Sequence, residues 1–184
     1  DVRLFSVEGR EFRVDWADVA RFPRSVLASQ AFAETGREPQ PAQLPGRSAQ
    51  FFGLVAELLA AGAQHGPDSP GSAAAGREPF RVPAEWCDGG EREALFWREA
   101  EFYGIFELEA GMASLVLERL LRAYLRRGPE GRRAFGAWPS RDRHQLWASL
   151  WVALRLQSGR WYSREEVDGV IREHLVSPEA PLVD

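Results

Sequence analysis

Apolar and polar residues alternate along the opening stretch Val2-Arg-Leu-Phe-Ser-Val-Glu-Gly-Arg-Glu-Phe-Arg-Val14. Val2, Leu4 and Ser6 fall on one side, Arg3, Phe5 and Val7 on the other, and Phe12 and Val14 continue on a second segment. A period of two predicts two short strands, with Gly9 at a tight hairpin that needs a residue tolerant of positive φ. The pattern then turns helical. Asp15 can cap a helix whose Trp16, Val19, Ala20 and Phe22 share one side. Pro23 cannot continue that helix and sets φ for the first turn of the next, which has Val26, Leu27 and Phe32 as its apolar face. Residues 34–43 carry Gly, Pro and charge and are expected to be loop. Ser48 caps a helix over 51–61 with Phe51, Leu54, Val55, Leu58 and Leu59 at helical spacing, and Gly62 is its expected terminator. Residues 65–79, rich in Gly, Pro, Ser and Ala, have no periodicity and predict a flexible insertion spanning 63–79. Phe80-Arg-Val-Pro83 suggests a short strand, and from Glu91 the residues Leu95, Phe96, Phe102 and Tyr103 build a helix closed by Gly104-Ile105.

From Ser114 the texture changes. Leu117, Leu120, Leu121, Tyr124 and Leu125 form an apolar helical stripe among Arg119, Arg122, Arg126 and Arg127, ended by Gly128-Pro-Glu-Gly131. A second helix is expected over 141–157, with Leu146, Leu150 and Leu154 in one row, Trp147 and Trp151 beside it, and Ser158-Gly159 as its stop. Ser163-Arg-Glu-Glu166 has the form of a capping box opening a third helix through Val167, Val170, Ile171 and Leu175.

A chain of 184 residues, 45% of them apolar, fits one large domain or two small ones and can bury about 70% of its unfolded surface. No apolar run approaches the ~18 residues of a membrane span, and no secretion signal is visible at Asp1-Val-Arg; an internal fragment fits the missing initiator Met. The single cysteine, Cys87, excludes an internal disulfide and any multi-cysteine zinc site and suggests reducing, intracellular surroundings, cytoplasmic or nuclear. All 23 basic residues are arginine, so there is no side-chain amine for ubiquitin or acetyl transfer. Residues 1–113 hold 11 Arg against 18 Asp and Glu, and 114–184 hold 12 against 9. An acidic first part and a mildly basic second part suggest two modules, and the surplus in the second is too small to argue for nucleic acid by itself.

Five pieces in order resemble a family. The opening strands are similar to "V-x-L-x-V-x-G-x-x-F"; Phe22-Pro-Arg-Ser-Val-Leu27 to "F-P-x-S-x-L"; and the segment from Phe51 to Gly62 to a helix ending "L-x-x-G". Phe80-Arg-Val-Pro83 resembles "l-x-l-P", and Arg98-Glu-Ala-Glu-Phe-Tyr-Gly-Ile105 resembles "E-x-x-F-y-g-I". Residues 1–112 thereby look like a BTB/POZ domain of the potassium-channel-tetramerisation (KCTD-like) type. The resemblance implies an α+β fold, a short sheet flanked by helices, and a role in homo-oligomers or partner recruitment. Members usually carry Asp-Arg-Asp ahead of the long helix for charged contacts between subunits; here Pro45-Gly-Arg47-Ser48 stands there, leaving Arg47 as the candidate oligomer contact. The zinc-binding His/Cys cluster of some members is missing, so the expectation is no metal and no cofactor.

Residues 114–184 carry Phe135-Gly-Ala-Trp138-Pro139, then Gly159-Arg-Trp-Tyr-Ser-Arg-Glu-Glu-Val-Asp168, then His174. They resemble, over about 115–184, a small bacterial winged-helix domain of unknown function that often follows helix-turn-helix regulators. In that family an Arg-rich helix and a β wing would follow, and this chain stops at Asp184 before them, so the resemblance implies a helical, partial winged helix here. Arg141 and Arg143 are the candidate nucleic-acid contacts.

No catalytic constellation is legible. His65, His144 and His174 are scattered, and Cys87 has no His at a readable spacing. Glu99 and Glu101, two apart on a helix, do not face each other, and Glu165 and Glu166 belong to the capping box. Trp138, Trp147, Trp151 and Trp161 suggest core packing between three helices, and the arginines at 119, 122, 126, 127, 132, 133, 141 and 143 a solvated face. The resemblance of residues 1–112 implies, as the first expectation, a non-enzymatic scaffold with protein partners and no membrane role, and, as for several eukaryotic relatives, an adaptor for a cullin-3 ubiquitin ligase if the chain is eukaryotic. The competing class is a transcription-associated DNA-binding regulator acting through the second module.

Overall fold

The computed structural model describes residues 1–29, 41–64, 79–127, 133–156 and 160–175. The fold is mixed α+β. Contacts divide the described residues into two compact units, the first drawn from 1–64 and 82–111, the second from 79–81 and 112–175.

In the first unit β1 (Val2–Val7) and β2 (Arg10–Asp15) form the expected antiparallel hairpin, with Phe5 opposite Phe12. Glu8 and Gly9 both take positive φ, 49° and 74°, which closes a two-residue turn matched to strand twist. Asp15 caps α1 (Trp16–Val19) by accepting from the Ala17 N–H. That helix is a single turn, shorter than its stripe suggested, because the chain turns at Ala20-Arg21-Phe22 before Pro23. The helix expected after Pro23 reduces to a 3₁₀ turn, Val26–Ala28, capped by Ser25; Phe32 lies outside the described residues.

Within the stretch expected to be loop, Ala42–Gln43 is β3, pairing parallel to β1 at Phe5 and Ser6 to give the order β2-β1-β3. Ala42 is buried there, so sheet pairing overrides a composition that locally favours loop. The long helix α2 (Ala49–Gln64) begins two residues earlier and runs through Gly62. A helical glycine costs only ~1 kcal/mol, less than the packing of one large side chain. Phe80-Arg-Val-Pro83 forms no strand: Val82 is buried at 4% exposure and a 3₁₀ turn, Ala84–Trp86, follows.

The helix α3 (Glu91–Tyr103) ends as its sequence predicts, with Gly104 left-handed at φ 62°. A Cβ at that glycine would stand 3.2 Å from the Arg24 carbonyl oxygen. Aromatic rings from separate segments form this unit's core. Phe51 packs on Trp86, Phe96 and Tyr103 at centroid distances of 5.6, 5.2 and 5.8 Å, and Phe52 packs on Phe5 and Phe12 at 5.5 and 4.8 Å. Each such ring contributes about 1.5–3 kcal/mol by leaving water.

One helix, α4 (Phe106–Leu120), runs through positions 112–114, where the change of texture suggested a boundary; the two units divide within it, between Gly111 and Met112. In the second unit Leu125 is not helical. The chain turns at Leu121, whose carbonyl accepts from Tyr124 and Leu125, and β4 (Leu125–Arg127) pairs antiparallel with β5 (Arg133–Phe135). The stripe 117-121-125 was readable as helix because Leu125 is buried, in this case as the strand partner of Phe135. The Gly128–Gly131 and Ser158-Gly159 signals lie outside the described residues. Helix α5 (Asp142–Ala153) is shorter than expected, and two of its three row leucines point outward: Leu146 and Leu150 are 59% and 48% exposed, while Leu154, just past the helix, packs on the core with Ala148, Trp151 and Val152. Helix α6 (Arg164–Glu173) has the predicted capping box, and Leu175 bridges Phe135. Among the described residues no helix is long and apolar enough to cross a membrane.

Candidate functional site

The polar features of the first unit converge on the start of α2. Glu99 projects from α3 on the same stripe as Phe96, Ala100 and Tyr103 and is fully buried. Its Oε2 accepts from the Ser48 N–H at 3.4 Å, and its Oε1 lies 3.7 Å from Arg47 and 3.6 Å from Arg98. Glu8, on the hairpin turn, accepts from the Ala49 N–H at 2.9 Å, and Ser48 Oγ accepts from the Phe51 N–H. Two carboxylates and a hydroxyl thus satisfy the first N–H groups of α2, where the helix dipole also favours negative charge. Arg47 is engaged within its own unit: it pairs with Glu99 and its guanidinium lies 4.1 Å over the Phe102 ring. Tyr103 completes the cluster. Burial pushes its phenol well above the usual range, the Glu99 charge adds to that, and Arg47 partly opposes it. Sequence reasoning missed Glu99, although a charge between Phe96 and Tyr103 on an apolar stripe was the available signal.

The second unit's charged groups are mostly on its surface. Arg141, flanking the start of α5, and Arg143, stacked 4.7 Å over Trp147, are both exposed. Arg119, Arg122, Arg126, Arg127 and Arg133 are exposed as well, and Arg132 lies outside the described residues. The buried cation is Arg155, whose guanidinium lies 3.2 Å over the Trp151 ring, donates to the Trp151 carbonyl at 2.8 Å and sits 3.7 Å from Glu118. The tryptophans divide. Trp151 is fully buried and Trp147, half-buried, packs against the same core, but Trp138 is 37% exposed and Trp161 96%, so the expectation of a four-tryptophan core is corrected to two. Trp161 stands two residues before Ser163, the cap of α6.

The remaining candidates are separated. The Tyr124 hydroxyl and His144 Nδ1 are 2.7 Å apart, beside the Trp147 ring. His174 is buried edge-on to Trp151, its carbonyl accepting from the Phe135 N–H. Cys87 is half-buried at the end of a 3₁₀ turn, and His65 lies outside the described residues. Glu166 holds the capping box and pairs with Arg160; its carboxyl is held below the usual range by the Ser163 N–H and, less strongly, by Arg160. Among the described residues no group of three or more His, Cys, Asp or Glu is placed to hold a metal ion. No family model matches the chain, and neither does any curated protein or solved structure.

Proposed function

We propose that this chain is a non-enzymatic assembly scaffold whose first unit is a BTB/POZ-type domain of the tetramerisation class, acting through homo-oligomers or by recruiting a protein partner. What carries the reading is that the segments bearing the resemblance meet in one core: the hairpin's Phe5 packs on Phe52, and Phe51 packs on Tyr103 of α3. The hairpin, the sheet order β2-β1-β3 and the glycine-stopped α3 suit that domain class. The buried Glu99 serves the scaffold as an internal organiser, fixing the Arg47-Ser48 entry to α2. Several eukaryotic domains of that class adapt substrates to cullin-3 ubiquitin ligases, a partner this unit would fit in a eukaryotic cell, and a single cysteine suits a cytoplasmic or nuclear setting. The test is light scattering coupled to size exclusion across micromolar concentrations. The expected mass is a multiple of 20.7 kDa, and a single 20.7 kDa species at every concentration sinks the homo-oligomer reading, leaving only recruitment of a different protein.

A second reading, DNA binding by a winged-helix-type second unit, draws on the exposed Arg141 and Arg143. A duplex-DNA mobility shift that weakens steeply with salt supports it; no shift at low salt removes it.

A further inference from the structure

The β4–β5 hairpin sets two arginines directly against each other. Its register pairs Leu125 with Phe135, both buried, and two positions further, on the same face, Arg127 with Arg133, both exposed. Like charges opposite one another on a ladder are destabilising, and unlike pairs are the usual remedy. Among the described residues no carboxylate lies within ion-pair distance of either guanidinium. The hairpin therefore holds a local repulsion that an anionic partner would relieve.

We propose that the Arg127–Arg133 pair is a docking face for a carboxylate-bearing protein surface, and that its occupant is the acidic first unit of a second copy of this chain. This rests on the assembly reading above and names a contact within it. Charge complementarity selects the occupant. Residues 1–113 carry 18 acidic side chains against 11 arginines, and Glu57, Glu85, Glu91 and Glu101 are exposed there with no arginine partner among the described residues. A nucleic acid fits less well. Its affinity grows with the number of phosphates neutralised, and a two-arginine face on a chain of net charge −4 neutralises few while the whole molecule repels a polyanion. Planar guanidinium forks match carboxylates in pairs, so two arginines suffice for a specific protein contact. Joining unlike surfaces is heterologous, and it extends an assembly into a ring or filament.

Sedimentation velocity of the full chain tests this at about 0.1 M and about 1 M salt, where the Debye length falls from ~10 Å to ~3 Å. The expected result is wild-type assembly that weakens at high salt and needs about tenfold more protein in R127E/R133E. R122E/R164E, which changes net charge equally on other exposed positions, should assemble as wild type. R127E alone separates docking from folding: a carboxylate opposite Arg133 removes the ladder repulsion, so thermal stability holds or rises while assembly weakens. Equal assembly by wild type and R127E/R133E, or equal weakening by R122E/R164E, overturns the docking face and leaves the scaffold reading standing. Loss of duplex-DNA binding in R127E/R133E with assembly intact also overturns it, assigning the face to nucleic acid. A wild-type chain that stays at 20.7 kDa throughout removes both the face and the homo-oligomer form of the scaffold reading.

Discussion

Tyr103 and Glu99 are one helical turn apart, and both bring polar atoms into an aromatic core. The phenol oxygen of Tyr103 has no hydrogen-bond partner among the described residues, so Tyr103→Phe removes a buried polar atom and no partner. At pH 7 its stability should match wild type within about 1 kcal/mol. The pH dependence separates the two proteins. Because the folded phenol titrates above its unfolded value, the neutral side chain favours folding below about pH 10, and that contribution is lost as pH rises beyond it. Urea denaturation at pH 7 and again above pH 10 should show the variant retaining stability that wild type loses; parallel losses would refute the burial argument. Glu99→Ala acts in the opposite direction. It strips Arg47, whose side chain is only 25% exposed, of a buried counter-charge and leaves the Ser48 N–H without its acceptor. A loss of about 3 kcal/mol is expected, and Glu99→Gln, which keeps an acceptor, should lose less. Equal losses in the two would assign the effect to side-chain volume.

Helix α6 shows how far local chemistry alone can define an element. Its ten residues bury little, Val170 being the one fully buried side chain, so the Ser163–Glu166 box carries much of its order. Ser163→Ala should cost about 1 kcal/mol of stability. Glu166 also makes the cap acid-sensitive: its folded pKa is depressed, so the cap's contribution is complete above the ordinary value of 4.5 and lost as pH falls through the folded one. Helical circular dichroism that fades in that acid window in wild type, and not in a Glu166→Gln variant, is the expected result. Signals of this kind were legible in sequence: Gly9 at the hairpin, Asp15 and Ser48 as caps, the capping box and Gly104 all act through their own backbone neighbours. What was not legible depends on distant chain. Ala42–Gln43 is a strand only because β1 lies alongside it. Leu125 belongs to a helical stripe until Phe135 claims it for a ladder. The row of Leu146 and Leu150 was as good a core candidate as the face holding Ala148, Trp151 and Val152, and only packing decided between them. The candidate site followed the same division. Arg141 and Arg143 lie exposed where a solvated face was expected, whereas Arg47 is drawn inward by Glu99, a residue whose burial depends on α2.

Across the molecule, charge is organised by residue type as well as by position. There is no lysine, and apart from three histidines every basic side chain is an arginine, whose positive charge stays fixed throughout the physiological pH range and lies beyond acylation. The negative charges dominate the first 113 residues, and the total is −4. If complementarity between the two regions drives assembly, reagents that act on amines and on guanidinium groups must have different effects. Succinimidyl acetate finds no lysine side chain and should leave the sedimentation profile unchanged. Phenylglyoxal removes the arginine fork, exposed positions such as Arg127 and Arg133 first, and should dissociate the assembly while circular dichroism at low conversion remains native. Arg47 and Arg155 are shielded by Glu99 and by the Trp151 ring, so early modification should spare the folds they support. Assembly that survives modification of the exposed arginines would place its energy in apolar contacts. The outward Leu146 and Leu150 would then be the residues to replace next, because they are the large apolar pair that α5 leaves uncovered.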